Sequence, residues 1–322
     1  MFLSFCKSRA DVMRGLGIAV LGGAIVGLAA CQSASDIVWT TPMDQELFRT
    51  PEMAADALAE ATRRDDTVEL KKILGARGDS LIHSGDPVAD KNGREKFVAA
   101  YDAHHQLEPT VADMETLVVG SEEWPLSIPL VRQDGAWRFD TAAGAQEILN
   151  RRIGRNELSV MGVCRAYVVA QREFSERRVH HHRHAEFAQK FMSAPRRHDG
   201  LYWPVKAGEK ESPLGPLMAQ AQAEGYRQAQ GNHRPYHGYY FQILKRQGAE
   251  AAGGAKDYVV KGRMTRGFAL IAFPATYGDS GVMTFIVNQN GIVYEKDLGV
   301  NTSDVVRSIG VYDPGEGWEP VL

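Results

Sequence analysis

The strongest constraint on the fold is a short segment in which Asp134-Gly135 separates two runs of alternating apolar and polar residues. Asp-Gly between alternating runs is typical of a two-residue type I′ turn, because both central residues of that turn adopt positive φ. A turn of this length places Leu130 opposite Phe139 and Arg132 opposite Trp137. The segment therefore predicts an antiparallel β-hairpin with an apolar face.

The residues before this hairpin repeat their apolar side chains at intervals of three and four, which is the period of an amphipathic helix. One helix is predicted after Pro51, a second over residues 67–74 with Gly75 as its stop, and a third after Asn92-Gly93. A first strand is predicted over residues 111–119. The first half is thus expected to pack helices on an antiparallel meander.

The second half is predicted to form one long helix, a loop-rich segment and a second sheet. The helix covers residues 141–174 and carries apolar residues on more than one face, so we expect it to lie between two layers. A short helix is predicted near residues 217–226. Strands are predicted over residues 239–244, 257–260, 268–273 and 283–287, and an Asn290-Gly291 turn is predicted to place Met283, Phe285 and Val287 on one face with Ile292 and Tyr294.

These elements predict an α+β fold, with helices packed on an antiparallel meander, a long connecting helix and a second antiparallel sheet. A length of 322 residues fits two such domains. The predicted parts are a signal peptide at 1–30, a tether at 31–49, a cystatin-like α+β domain at 50–140, the connecting helix at 141–175, a loop-rich segment at 176–234 and an antiparallel β domain at 235–322.

The first thirty residues have the parts of an export signal. Basic residues precede an uncharged, glycine-rich run from Gly15 to Ala30, which is shorter than the roughly 20 apolar residues that span a bilayer. The run ends in Leu28-Ala29-Ala30-Cys31, which resembles the lipobox of bacterial lipoproteins. The resemblance implies cleavage before Cys31 and a diacylglycerol on its sulfur. An uncleaved anchor helix is the alternative, and Met13 is an alternative start.

The residue after the cysteine bears on the final location. Gln32 stands where an aspartate would retain a lipoprotein at the inner membrane, so resemblance to proteobacterial sorting implies the periplasmic face of the outer membrane. The membrane itself is then one partner, through acyl chains that each contribute roughly 0.8 kcal/mol per buried CH₂.

The composition excludes several classes of protein. Charged residues make up 24% of the chain, which argues against an integral membrane protein. A net charge of −3 with dispersed basic residues leaves no electrostatic surface for nucleic acid. Three cysteines are too few for a disulfide scaffold, and Cys164, within an apolar helical face, is expected to be an inert buried thiol.

A histidine cluster is the one arrangement with metal chemistry. If the segment is helical, His180 and His184 lie one turn apart, and at that spacing two imidazoles can share Zn²⁺ or Cu²⁺. His181 or Glu186 could add a ligand, and a solvated polar turn is the alternative interpretation. No cofactor is expected.

An aromatic group offers a second candidate site. Tyr202 and Trp203, together with Tyr236, Tyr239 and Tyr240, could form a platform for a glycan or a peptide. The alternative is that these rings form the core of a loop-rich region, which needs buried apolar side chains to be stable.

Two polar motifs are weaker candidates. Arg151, Arg152 and Arg155 with Glu157 could bind a phosphate or carboxylate, although ion pairs on a helix surface are the preferred interpretation. Ser280 follows a Gly-Asp pair as in the nucleophile loop of trypsin-like proteases, but no matching histidine motif precedes it. A tight turn is the preferred interpretation of that segment.

Several long motifs resemble one family, the bacterial envelope proteins known as domain of unknown function 2950. They are Arg155-Asn156-Glu157-Leu158 and the segments 199–204, 212–216, 235–241 and 277–285. The resemblance implies no activity, because the family has none assigned. Residues 180–184 depart from it, where a more acidic turn is expected. The first half also resembles the cystatin-like fold of the nuclear-transport-factor-2 superfamily, and the second half resembles the globular domains of pseudopilins.

The function favoured by the sequence is a non-catalytic binding or structural module of the bacterial envelope. An envelope protein and a cell-wall glycan are both open as its partner. The alternatives are an enzyme that acts in the pocket of a cystatin-like sheet, and a metal-handling protein that uses the histidine cluster.

Overall fold

The structure is a computed structural model that describes residues 45–182, 185–206, 208–227 and 234–321. The predicted signal peptide, Cys31 and most of the predicted tether lie outside these residues. The described chain has an α+β fold with two antiparallel sheets joined by a long helix, as predicted.

Short helices open the described chain. They are α1 (Pro51–Arg63), α2 (Thr67–Leu74), a 3₁₀ turn (Ala76–Gly78), α3 (Asp79–Ile82) and α4 (Pro87–Ala103). The hydroxyl of Thr50 accepts a hydrogen bond from the backbone N–H of Met53 and caps α1, and the carboxylate of Asp66 caps α2. The predicted second helix is confirmed, and Gly75 ends it with a φ of 70°.

The start of α4 differs from the prediction. The Asp86 carboxylate accepts hydrogen bonds from the N–H groups of Val88 and Ala89, and Pro87 occupies the first helical position. A side-chain cap followed by proline is a strong start signal, so the helix continues through Asn92-Gly93. The prediction that Asn92-Gly93 precedes the helix is wrong.

The first sheet contains β1 (His105–Val111), β2 (Met114–Val119), β3 (Trp124–Pro125), β4 (Leu130–Gln133) and β5 (Ala136–Phe139). Its order is β1-β2-β4-β5, with β3 paired to β2. The predicted hairpin is confirmed, with Leu130 opposite Phe139 and φ values of 52° and 80° at Asp134 and Gly135. The single strand predicted over 111–119 is wrong, because Asp113 at φ 61° turns the chain between β1 and β2.

The connecting helix α5 (Thr141–His182) has 42 residues and extends beyond its predicted end. Near its start Ile148 joins a first core with residues such as Leu58, Phe97 and Leu130. Further along, six residues of α5 join a second core, namely Val160, Cys164, Tyr167, Val168, Ala170 and Phe174. The helix therefore lies between two layers, as its apolar pattern indicated. The short helix α6 follows at Gly215–Ala223.

The strands of the second sheet are β6 (Tyr239–Leu244), β11 (Ala269–Pro274), β12 (Met283–Asn288), β13 (Val293–Asp297) and β14 (Glu319–Pro320). Their order in the sheet is β14-β13-β12-β11-β6. Two pairs of two-residue strands lie beside it, β7 (Arg246–Gln247) with β8 (Lys256–Asp257) and β9 (Val259–Val260) with β10 (Arg263–Met264), and helix α7 spans Thr302–Ser308.

The β12–β13 hairpin has a different register from the predicted one. Val287 lies opposite Val293 and Ile286 opposite Tyr294, so Tyr294 does not share a face with Val287. The Asn288 side chain accepts from the N–H of residue 290, its carbonyl accepts from that of Gly291, and the turn therefore begins at Asn288. The extra loop residue shifts β13 by one position and reverses its faces.

Among the described residues, no helix combines the length and the apolar character needed to cross a bilayer.

Candidate functional site

A groove with a cavity volume of about 580 Å³ runs along β6, at the edge of the second sheet. Residues 189–191 form one wall and helix α7 the other. The lining consists of Gln189, Lys190, Phe191, Tyr240, Phe241, Gln242, Ile243, Phe273, Ser303, Val306 and Arg307. The groove therefore combines apolar surface with a strand edge.

The two walls stand on opposite faces of the sheet. The Tyr239 hydroxyl reaches Glu157 on α5, and alternation places Phe241 and Ile243 on that same face. Residues 187–191 pack on this side as well, since the Phe191 ring contacts Tyr167 of α5. Helix α7 contacts β11, and its Val306 lines the groove together with Tyr240 and Phe273, which alternation places on the opposite face. The edge of β6 therefore lies at the bottom of the groove.

The hydrogen bonds at both ends of β6 show which of its backbone groups point away from β11. Tyr239 exchanges backbone bonds with Tyr236, and the carbonyl of Lys245 accepts from the N–H of Tyr258, so both residues point outward. The direction alternates along an antiparallel strand. The N–H and C=O groups of Phe241 and Ile243 therefore point outward too, and none of them has a hydrogen-bond partner among the described residues.

Two cations stand in the groove lining, which contains no carboxylate. Lys190 Nζ lies 2.8 Å from Asp199, and Arg307 lies 2.8 Å from Asp304, both acids being outside the lining. These exposed pairs are weak and can be exchanged for a ligand carboxylate. The groove is thus apolar along its length and positively charged at the side chains of its two walls.

The junction between the two halves is a second polar region, centred on the buried carboxylate of Asp86. One oxygen caps α4, and the other accepts hydrogen bonds from the Tyr226 hydroxyl at 2.8 Å and from the N–H of Gly238 at 2.9 Å. Gly238 has a φ of 74°, and a Cβ there would lie 2.7 Å from the Asn156 side chain. Asp86 thus joins the start of α4 to Tyr226 and Gly238, which lie 140 and 152 positions further along the chain.

Helix α5 supplies further contacts across the junction. Arg152 donates to the carbonyls of Ser80 and Leu81, at 2.7 and 2.9 Å. Glu157 accepts from the N–H groups of Val282 and Met283, at 3.0 and 2.9 Å. Of the predicted surface ion pairs in this motif, only that between Arg151 and Glu147 forms among the described residues. The others bind backbone, a role the motif alone did not indicate.

An imidazole and a carboxylate lie in contact at the same junction. Glu224 Oε2 is 3.1 Å from His237 Nε2, but its geometry is not that of a hydrogen bond. Burial lowers the pKa of His237, with Arg155 acting in the same direction and Glu224 and Asp86 opposing it. His237 is therefore mainly neutral at pH 7, so its contact with Glu224 is not an ion pair at that pH.

The predicted metal ligands cannot be placed. The side chains of His180 to His182 and all of residues 183–184 lie outside the described part, so the predicted site at His180 and His184 stays a prediction. Elsewhere in the described ranges, no group of three or more His, Cys, Asp or Glu side chains could hold a metal ion.

The aromatic residues do not share one platform. Tyr202 and Trp203 pack against the second core, and the Trp203 ring stacks on His198 at 4.3 Å. The Tyr236 ring instead contacts Tyr226 and His237 at the junction. The two remaining rings also separate, since Tyr239 is fully buried and Tyr240 lines the groove.

The two candidate nucleophiles are both buried. Burial raises the pKa of the Cys164 thiol to about 12, which keeps it protonated and unreactive. The Ser280 hydroxyl donates to the carbonyl of Thr276 and accepts from its N–H, within a turn between Tyr277 and Gly281. Both residues have the structural roles preferred from the sequence.

Sequence reasoning missed the groove itself. Its one signal was the segment from Tyr239 to Leu244, in which aromatic or apolar residues occupy both faces of the strand. That pattern indicates a strand covered on both faces, but it carries no information about which strand stands at the edge.

The family model described as "Protein of unknown function (DUF2950)" matches residues 45–321. No curated protein and no solved structure matches the chain. The likenesses to the cystatin-like fold and to pseudopilins therefore stay predictions.

Proposed function

This chain belongs to the DUF2950 family of proteins of unknown function, and on that premise we propose that it is an exported, lipid-anchored binding module that holds its ligand in the groove along β6. The observation that carries the proposal is the groove itself, where an apolar cavity coincides with backbone groups that lack partners. Such a surface binds a ligand without requiring any reactive side chain.

The polar clusters elsewhere support binding over catalysis. At the junction, the carboxylates of Asp86 and Glu157 are occupied by backbone N–H and tyrosine hydroxyl donors. In the first domain, Leu117, Leu130 and Phe139 are fully buried and fill the space between the sheet and its helices. An enzyme that acts in a pocket of the first sheet therefore has less support.

The lipid anchor is proposed from the residues at the amino terminus. A lipobox ending in Cys31, followed by Gln32, would place the protein at the periplasmic face of the outer membrane. An anchor at the first residue of the cleaved chain, followed by a short tether, would leave the groove accessible to envelope components.

The anchor is tested by labelling a proteobacterial host with an alkyne-bearing fatty acid and separating its membranes on a density gradient. We expect label on the natural protein in the outer-membrane fraction, none on Cys31→Ala, and a shift of Gln32→Asp to the inner membrane. Equal labelling of the natural protein and Cys31→Ala would contradict lipidation, and an unchanged position of Gln32→Asp would contradict the sorting step.

A further inference from the structure

We propose that the ligand of the groove is an extended polypeptide segment, which adds a strand to the free edge of β6. This inference rests on the proposed binding function and goes further by naming the class of ligand. The bound segment would then form one more strand beyond β6, by the β-strand addition seen in other peptide-binding domains.

The first argument is the hydrogen-bond pattern of the edge. Phe241 and Ile243 each present one donor and one acceptor outward, separated by the single inward-facing Gln242. Two such pairs at two-residue spacing match the backbone of a β-strand, whereas an acyl chain or a sugar ring has no matching alternation of donors and acceptors. The free groups therefore specify a polypeptide backbone.

The second argument is the length of the open edge. Tyr236 already occupies the outward groups of Tyr239, and Tyr258 occupies the outward carbonyl of Lys245. The open stretch between these two caps coincides with the β6 residues that line the cavity, Tyr240 to Ile243. An added segment therefore pairs over only about three residues, which suits a short linear motif within a longer partner.

The third argument is the shape and charge of the walls. Side chains of the added strand would alternate between Phe191 on one face of the sheet and Val306 on the other, so apolar residues fit both. Lys190 and Arg307 favour carboxylates at the ends of the segment. The expected motif is short, extended, apolar at its centre and acidic at its flanks.

A second copy of the chain fits the edge less well. Pairing β6 with β6 would bring residues 189–191 and α7 of both copies together at the same place, because the walls flank the edge on both faces. It would also bring together two copies of Lys190 and Arg307. A single flexible segment avoids both conflicts.

The probe is a random library of linear heptapeptides displayed on phage, selected on the full-length protein in detergent. The selected peptide is synthesised, and its affinity for natural and variant proteins is measured by fluorescence anisotropy. Ile243→Pro removes the outward N–H, and Ile243→Ala is the matched control because it keeps that N–H and shortens the side chain. We expect about a tenfold or larger loss of affinity for Ile243→Pro and about threefold or less for Ile243→Ala.

A second measurement does not depend on how the variant folds. Methylation of the peptide amides one at a time should weaken binding about tenfold at those that face β6, and little at those between them. Thermal unfolding of Ile243→Pro shows whether its affinity can be interpreted. Equal affinity of a folded Ile243→Pro, or a methylation scan without alternation, would overturn strand addition.

The remaining outcomes separate the ligand class from the binding function. If no peptide is selected, strand addition is wrong, and oleate and a soluble muropeptide are then tested against the natural protein and Ser303→Arg, which places a large side chain at an exposed position of the groove lining. Binding of either probe that is lost in Ser303→Arg would retain the groove as the binding site. Binding of neither would overturn the proposed function as well. Dimerisation in analytical ultracentrifugation that Ile243→Pro abolishes would identify a second copy as the occupant and overturn the inference.

Discussion

The junction between the two halves and the β6 edge differ in how their backbone hydrogen-bonding groups are used. At the junction, side chains such as Asp86 and Glu157 bind backbone N–H groups from distant segments. At the edge, the N–H and C=O groups of Phe241 and Ile243 have no partner within the described residues. The paired groups of the junction hold the two halves together, whereas the unpaired groups of the edge are available to the backbone of a ligand.

The largest effect is expected at the centre of the junction. Asp86→Ala removes the cap of α4 and leaves the Tyr226 hydroxyl and the Gly238 N–H without their acceptor. The free energy of unfolding should fall by about 3–5 kcal/mol, measured by urea denaturation. Asp66→Ala is the matched control, because Asp66 caps α2 through the Glu69 N–H at 3.0 Å, and it should cost only about 1 kcal/mol.

If both substitutions cost the same, the buried hydrogen bonds of Asp86 contribute nothing beyond helix capping. The junction would then be held by apolar contacts, and the contrast with the β6 edge would fail.

An intermediate effect is expected when proline is placed at adjacent positions of β6. The N–H of Gln242 faces β11, so Gln242→Pro breaks a hydrogen bond of the sheet and should cost about 3 kcal/mol or more. The N–H of Ile243 points outward, so Ile243→Pro should cost clearly less, since edge strands accept proline there. Chemical denaturation of the two variants measures the difference, and a reversed order would show that the assigned strand directions are wrong.

The smallest effect is expected for the pH dependence of the junction. Burial holds the pKa of His237 below its usual 6.5, so the unfolded chain binds this proton more readily than the folded chain. The corresponding stability is present above about pH 6.5 and is lost as the pH falls through that value. The stability of the natural protein should therefore fall more between pH 7.5 and 5 than that of His237→Gln, as measured by thermal unfolding. If the stabilities of the two proteins change equally with pH, the lowered pKa of His237 does not contribute to the stability of the fold.

The two predicted hairpins show how far local signals reach. Asp134-Gly135 was interpreted correctly, because both residues adopt the positive φ that a type I′ turn requires. The turn predicted at Asn290-Gly291 is displaced by one residue. The Asn288 side chain accepts a hydrogen bond from the N–H of Asn290, its carbonyl accepts one from the N–H of Gly291, and the turn therefore starts earlier. A competing side-chain hydrogen bond therefore changed the register without changing the existence of the hairpin.

The candidate site was less predictable than the fold. Tyr202 and Trp203 were selected because aromatic residues are common in binding sites, yet Trp203 stacks on His198 and both pack against the second core. The groove instead depends on the backbone of Phe241 and Ile243, whose side chains carry no reactive group. A search for reactive or aromatic side chains cannot detect such a site.

The sequence by itself determined the α+β class, the main helices, the first hairpin and the membership of DUF2950, because these depend on neighbouring residues or on long motifs. Only the tertiary structure decided that β6 stands at the edge of its sheet and that Asp86 meets Gly238 across the junction. Both depend on contacts between residues far apart in the chain. The physical reason is that strand order and the packing of the two halves against each other are set by contacts around the two cores, which local periodicity does not encode.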